Sequence, residues 1–303
     1  HESGMTNKVG QARAIKPKRE IAGIPVADLV DQYGSPLFVF SEQTIVDRYR
    51  EMHEAFTRRW SDVRMAWSYK TNYLNAICQI FHNEGAWAEV VSEFEWEKAV
   101  ELGVSPDRIH FNGPFKPESV LERVLPNDTI IHIDHFDELA AAERVAQRLG
   151  LRPRVAIRLN FTAPGTPNWT RFGFNVESGQ ARDAVKRIVA GDKLDLVGLH
   201  THMGTFINQE EPYHHGARTM AEFANQIRED FGIVLSFIDL GGGIASHNTL
   251  KSQYLPGDQA TPSFATYADA ICDGLQALDY HPSEMPTLDR KSTRLNSSHR
   301  LRS

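Results

Sequence analysis

Lys70 closes the apolar run Met65–Tyr69. Burial at a strand end lowers the pKa of an ammonium, and the neutral amine is the form that condenses with a carbonyl. A lysine that simply lays its stem along the protein surface would occupy the same position. The run Ile238-Asp239-Leu240-Gly241-Gly242-Gly243-Ile244 is more specific. Three glycines after a hydrophobic strand let backbone N–H groups close around an anion such as a phosphate, although a tight turn alone would also want them. Gly198-Leu199-His200-Thr201-His202-Met203-Gly204-Thr205 ends another strand-like run. Residues two apart on a strand share a face, so His200 and His202 point the same way. Two chemistries fit that pair. The imidazoles could ligate a metal, with Asp134 and His135 as further ligands, as in barrel hydrolases. Alternatively one ring packs on a flat cofactor while Thr205 holds a phosphate.

Glu89 and Arg158 sit inside strand-like patterns. Charged groups there are not buried without partners, so they form either a polar network facing a site or a structural ion pair. Arg171 lies in a Pro/Gly-rich stretch, Arg171-Phe172-Gly173, where it could take a substrate carboxylate or fix a loop. The neighbouring histidines His214 and His215 fall in a helical stretch and read as a solvated face.

These residues need elements to hold them. Pro36–Phe40 reads as a short strand, and Ser41 as the N-cap of a helix with Ile45, Tyr49, Met52 and Phe56 on one face. Apolar runs then alternate with amphipathic segments: Met65–Tyr69, Trp87–Val91, Ile109–Phe111, Thr129–Ile133, Val155–Leu159, Leu194–His200 and Val234–Leu240. Between them Ser92 and Glu95 form a capping box, and Gly103 and Gly150 stop two helices. Seven strand–helix units in succession indicate an α/β fold with a parallel sheet. Lys70, Ser92, Asn112, Asp134, Asn160, His200 with His202, and Gly241–Gly243 sit at C-terminal strand ends, and no GxGxxG follows the first strand. Both features favour a (β/α)8 TIM-type barrel, which gathers those ends around one mouth.

Net charge is −6 over 303 residues, which argues against nucleic-acid binding. No apolar run is long enough for a membrane span and none resembles a signal peptide. With Cys78 and Cys272 far apart, a reduced, cytoplasmic setting is expected. The ends are unusual. Residues 1–32 read as an N-terminal arm and 33–288 as the barrel. Asp289–His299, DRKSTRLNSSH, matches a translated sequencing adapter, so residues 289–303 read as a non-native tail, five basic residues against one acid. On that reading the eighth strand is missing after Leu288.

Taken together, the motifs resemble those of the fold-type III pyridoxal-phosphate decarboxylases, the diaminopimelate, ornithine and arginine decarboxylase group, and most of all the diaminopimelate branch. The matching stretches are Tyr33–Phe40, Trp67–Asn72, Trp87–Ser92, Arg171–Gly173, Gly198–Thr205 and Asp239–Gly243, in the family's order. The resemblance implies an alanine-racemase-like barrel with pyridoxal 5'-phosphate (PLP) held as a Schiff base on Lys70. It implies that His202 stacks on the pyridine, that Thr205, Gly241, Gly242 and Gly243 cradle the phosphate, and that Glu89 and Arg158 form the polar network beside the ring. Lys70 and His202 would be catalytic, and the reaction would be decarboxylation of a diaminopimelate-type amino acid. Thr201, Met203 and Phe206 depart from the branch's pattern, which leaves other amino acids, a racemase or a PLP carrier open. The family's C-terminal β-sandwich domain, which completes the site across a homodimer, is expected to be missing, and the chain as written to be inactive.

Overall fold

The computed structural model describes residues 19–35, 37–70, 74–165, 172–203, 209–241, 263–292 and 298–301. They fall into two compact units, one from the residues up to 44 together with those from 298 on, the other within 45–296. The smaller unit holds a two-residue antiparallel pairing, Glu20–Ile21 with Ile24–Pro25, and a helix, Val26–Tyr33. Its strand Leu37–Phe40 pairs antiparallel with Ser298–Leu301. Ser41 accepts a hydrogen bond from the Thr44 N–H at 3.3 Å, as a capping residue should, at the start of the helix Glu42–Thr57. Ile45, Tyr49, Met52 and Phe56 are that helix's buried stripe.

The larger unit is a closed barrel of eight parallel strands. In chain order they are β1 (Val63–Ser68), β2 (Trp87–Val90), β3 (Ile109–Phe111), β4 (Ile130–Ile133), β5 (Arg154–Asn160), β6 (Asp195–Thr201), β7 (Phe237–Asp239) and β8 (Thr287–Ser292). Each pairs with the next, β5 with β6 closes the middle of the series, and β8 joins β7 to β1. Among the described residues seven helices alternate with them: α1 (Asn75–Asn83), α2 (Glu93–Glu101), α3 (Glu118–Val124), α4 (Phe136–Leu149), α5 (Gln180–Gly191), α6 (Glu211–Phe231) and α7 (Phe264–Leu275). The expected capping box is present, with the Glu95 N–H donating to Ser92 Oγ at 3.2 Å. Gly150 ends α4 in the left-handed region at φ 66°. In α1 the buried residues are Ile77, Cys78 and Phe81, while Leu74, just before the helix, is exposed. Among the described residues no helix is long and apolar enough to cross a membrane.

The eighth strand corrects the sequence reading, which ended the barrel at Leu288. Leu288, Asp289, Arg290, Lys291 and Ser292 all pair with β1. The physical reason is non-local. An open barrel leaves unpaired N–H and C=O groups along β7 and β1, and almost any non-proline backbone satisfies them.

The barrel's packing shows at Gly198 on β6. A Cβ there would stand 2.2 Å from Phe237 Cζ on the adjacent β7, so the Phe237 ring occupies the space a side chain would need. Gly198→Ala is therefore expected to cost about 1–3 kcal/mol by overpacking, read as a lower urea midpoint at unchanged slope.

Candidate functional site

The C-terminal strand ends bring together most of the residues singled out by sequence. Lys70 follows β1, Glu89 lies on β2, Asn112 follows β3, Asp134 follows β4, Arg158 lies on β5, His202 follows β6 and Gly241 follows β7. Lys70 is exposed at this rim rather than enclosed by the barrel walls, as its place after an apolar run suggested. Its charge reaches Glu95, whose carboxyl is pushed up chiefly by burial and drawn down by hydrogen bonds and by Lys70.

The residue before it is firmly placed. Tyr69 is fully buried, and its N–H donates to the Glu89 carbonyl at 3.0 Å. The Tyr69 hydroxyl meets His82 Nε2 at 2.7 Å, while His82 Nδ1 meets the Ala86 carbonyl at 2.7 Å. A carbonyl only accepts, so Nδ1 carries the proton and Nε2 accepts from Tyr69. Protonating Nε2 would break that contact, and burial accordingly lowers the His82 pKa below its ordinary 6.5. The unfolded chain then binds the extra proton first. Stability is expected to fall as pH drops from about 6.5 through the depressed value, and His82→Gln to flatten that part of the urea-midpoint profile.

Glu89 is buried and accepts from Asn112 Nδ2 at 3.2 Å. Arg158 faces Asp134 at 3.8 Å, with its guanidinium carbon 5.3 Å from the centre of the Phe172 ring. Burial lowers its pKa, opposed by Asp134, Glu89 and Asp239. Arg158 is thus set among several carboxylates, with Asp134 as its near ion-pair partner.

Gly241 is shaped by two constraints. Its φ is +64°, and a Cβ would lie 2.6 Å from the Thr201 carbonyl oxygen and 3.5 Å from His202 Nδ1. Its N–H donates to Asp239 Oδ1 at 2.8 Å. Only glycine lets the turn after β7 approach the end of β6 this closely. Thr205, Gly242, Gly243 and Arg171 lie outside the described residues.

The metal reading of the sequence joined His200 to His202, with Asp134 and His135. The structure assembles a different set. His132, His200 and Asp239 are buried with ligand atoms within 4.8 Å of one another. Asp134 pairs with Arg158, and His135 caps α4 by accepting from the Glu138 N–H.

Sequence reasoning also passed over a buried ion pair. Lys116 Nζ donates to Glu138 Oε1 at 2.7 Å and to the carbonyls of Gly113 and His132 at 2.6 and 2.7 Å. Glu138 Oε1 further accepts from the Asp134 N–H at 3.1 Å. Burial pushes the ammonium down and the carboxyl up, and their contact opposes both shifts. The pair ties the loop after β3 to the first turn of α4 and, through the Asp134 N–H, to the end of β4. Its sequence signal was slight, a lysine in a Pro-flanked loop and a glutamate in the first turn of a helix.

Residues 42–282 match the sequence profile of the family described as "Pyridoxal-dependent decarboxylase, pyridoxal binding domain". The chain belongs to this family. Diaminopimelate decarboxylase of Methanocaldococcus jannaschii is 31% identical over 283 residues, 88% of this chain and 62% of the relative. That of Halalkalibacterium halodurans is 28% identical over 281 residues, 89% of this chain and 62% of the relative. The chain thus spans less than two thirds of the length of these relatives. Among solved structures, diaminopimelate decarboxylase from M. jannaschii superimposes with a TM-score of 0.82 at 27% identity, covering 92% of this chain and 66% of that one. The lysine/ornithine decarboxylase of Vibrio vulnificus, at 20% identity and a TM-score of 0.70 over 88% and 65% of the two chains, shares the fold.

The residues of this pyridoxal-dependent decarboxylase domain fit the cofactor that gives the family its description. An exposed primary amine stands at the rim, a turn that admits no Cβ follows β7, and carboxylates and a guanidinium line the same mouth.

Proposed function

We propose that the chain is the cofactor-binding part of an enzyme that removes CO2 from a diaminopimelate-type amino acid. What supports this most is Lys70 sharing one barrel mouth with Glu89, Arg158, His202 and the Gly241 turn, in a chain 28–31% identical to named diaminopimelate decarboxylases. When bound, PLP supplies an electron sink for the pair released with CO2. Lys70 would hold its aldehyde, His202 would lie against the ring, and Thr205 with Gly241, Gly242 and Gly243 would take the phosphate. Glu89 and Arg158 would fix the charge beside the ring, with Asn112 and Asp134 orienting them. Arg171 would meet the substrate carboxylate. The alternative metal-hydrolase reading does not agree with membership of this family.

The same proposal makes the working protein a cytoplasmic homodimer that binds neither nucleic acid nor membrane. Phe94 and Phe115 follow β2 and β3 on the mouth side and are largely exposed, which suits a surface covered by a partner. The substrate is tested by titrating the PLP-loaded chain with amino acids and following its visible absorbance. Diaminopimelate should change the band at lower concentration than ornithine or arginine. A preference for either of those two, or no visible band on adding PLP, contradicts the reading.

A further inference from the structure

The interior of a (β/α)8 barrel is ordinarily filled by layers of branched apolar side chains. Here His132 from β4, His200 from β6 and Asp239 from β7 take interior positions, with relative exposures of 0, 0 and 2%. The His132 and His200 rings meet edge to face with centroids 4.9 Å apart. One ligand atom from each of the three residues lies within 4.8 Å of those of the other two.

Two imidazoles and a carboxylate are a donor set that divalent transition ions favour. A tetrahedral zinc with bonds of about 2.0–2.1 Å sets its ligand atoms roughly 3.4 Å apart, so a modest closure from that outer limit suffices. The outer partners that ligating groups need are also in place. His132 Nε2 meets His110 Nδ1 at 2.7 Å, and an imidazole offers a second nitrogen. Asp239 Oδ1 holds the Gly241 N–H, and a carboxylate has a second oxygen.

We propose that His132, His200 and Asp239 form a buried site for a divalent transition ion, zinc foremost, that braces β4, β6 and β7 from inside the barrel. Three protein ligands leave one tetrahedral position for water. The site lies beside the residues proposed to hold the cofactor, and Asp239 is linked to them through the Gly241 N–H and the charge of Arg158.

The test is metal content and cobalt spectroscopy on the full chain, expressed with zinc and passed over a chelating resin. About one zinc per chain should remain, and His132→Asn and His200→Asn should each lose nearly all of it. His214→Asn, on α6 away from the cluster, should keep it. Since an asparagine variant could fold poorly, His132→Cys provides the second arm. Loaded with Co2+, it should gain a sulfur-to-cobalt charge-transfer band in the near ultraviolet that the parent chain lacks. Wild-type chain free of stoichiometric zinc, His200→Asn retaining it, or His132→Cys without the new band would overturn the proposal. None of these readouts depends on PLP binding or turnover.

Discussion

Lys116→Met should lose about 3–5 kcal/mol of stability, because it leaves Glu138 as a buried charge without its partner. Both side chains are essentially inaccessible, at 0 and 1% exposure. The same ammonium satisfies the Gly113 and His132 carbonyls, so both lose this donor together with the ion-pair partner of Glu138. Burial already raises the Glu138 pKa, and removing the lysine takes away the charge that holds it down. The double variant Lys116→Met/Glu138→Leu should recover most of the loss, since two apolar groups of similar shape carry no uncompensated charge. Urea denaturation of the four proteins of this cycle gives the coupling directly. A single variant as stable as the parent would mean that the pair does not brace the mouth.

The second large effect has the opposite sign. Arg290→Leu should stabilise the chain by about 1–4 kcal/mol. Arg290 on β8 has 0% exposure, and none of its three guanidinium nitrogens has a hydrogen-bond partner. Burial drives its pKa down. The compensation comes from the aromatic faces of Phe56 at 5.2 Å and Tyr213 at 5.9 Å, together with the charge of Asp239. Such contacts return about 0.5–2 kcal/mol, less than the several kcal/mol it costs to strip water from the ion. Leucine would fill the same space and pack on both rings. A higher melting temperature or urea midpoint is the expected reading, and a lower one contradicts it. By contrast Asp289 fits well, pairing with Arg64 through Oδ1 at 2.5 Å and Oδ2 at 2.6 Å.

Strand β8 illustrates what the sequence could not disclose. Its residues show no apolar alternation, and their extended form is imposed by the edges of β7 and β1. Elements whose own periodicity decides their form were legible. The stripe Ile45, Tyr49, Met52 and Phe56, the Ser92–Glu95 box and the stop at Gly150 all appear in the structure. Strand-end position singled out Lys70, His202 and Gly241, and a charged residue inside a strand pattern singled out Glu89 and Arg158; a barrel brings such ends to one mouth. Two interior histidines, His110 and His132, were missed, because each is a single polar residue inside an apolar run and their contact crosses from one strand to the next. The Lys116–Glu138 contact likewise joins a loop to a helix turn that sequence spacing does not relate.

The central claim is that Lys70 carries the cofactor, and chemical trapping tests it most directly. The chain is mixed with PLP, reduced with borohydride, digested and mapped by mass spectrometry. The account predicts one phosphopyridoxyl group, on the peptide containing Lys70, and neither label nor visible absorbance in Lys70→Ala. Label on Lys116 or Lys98, label scattered over surface lysines, or equal labelling of the Lys70→Ala chain would contradict it.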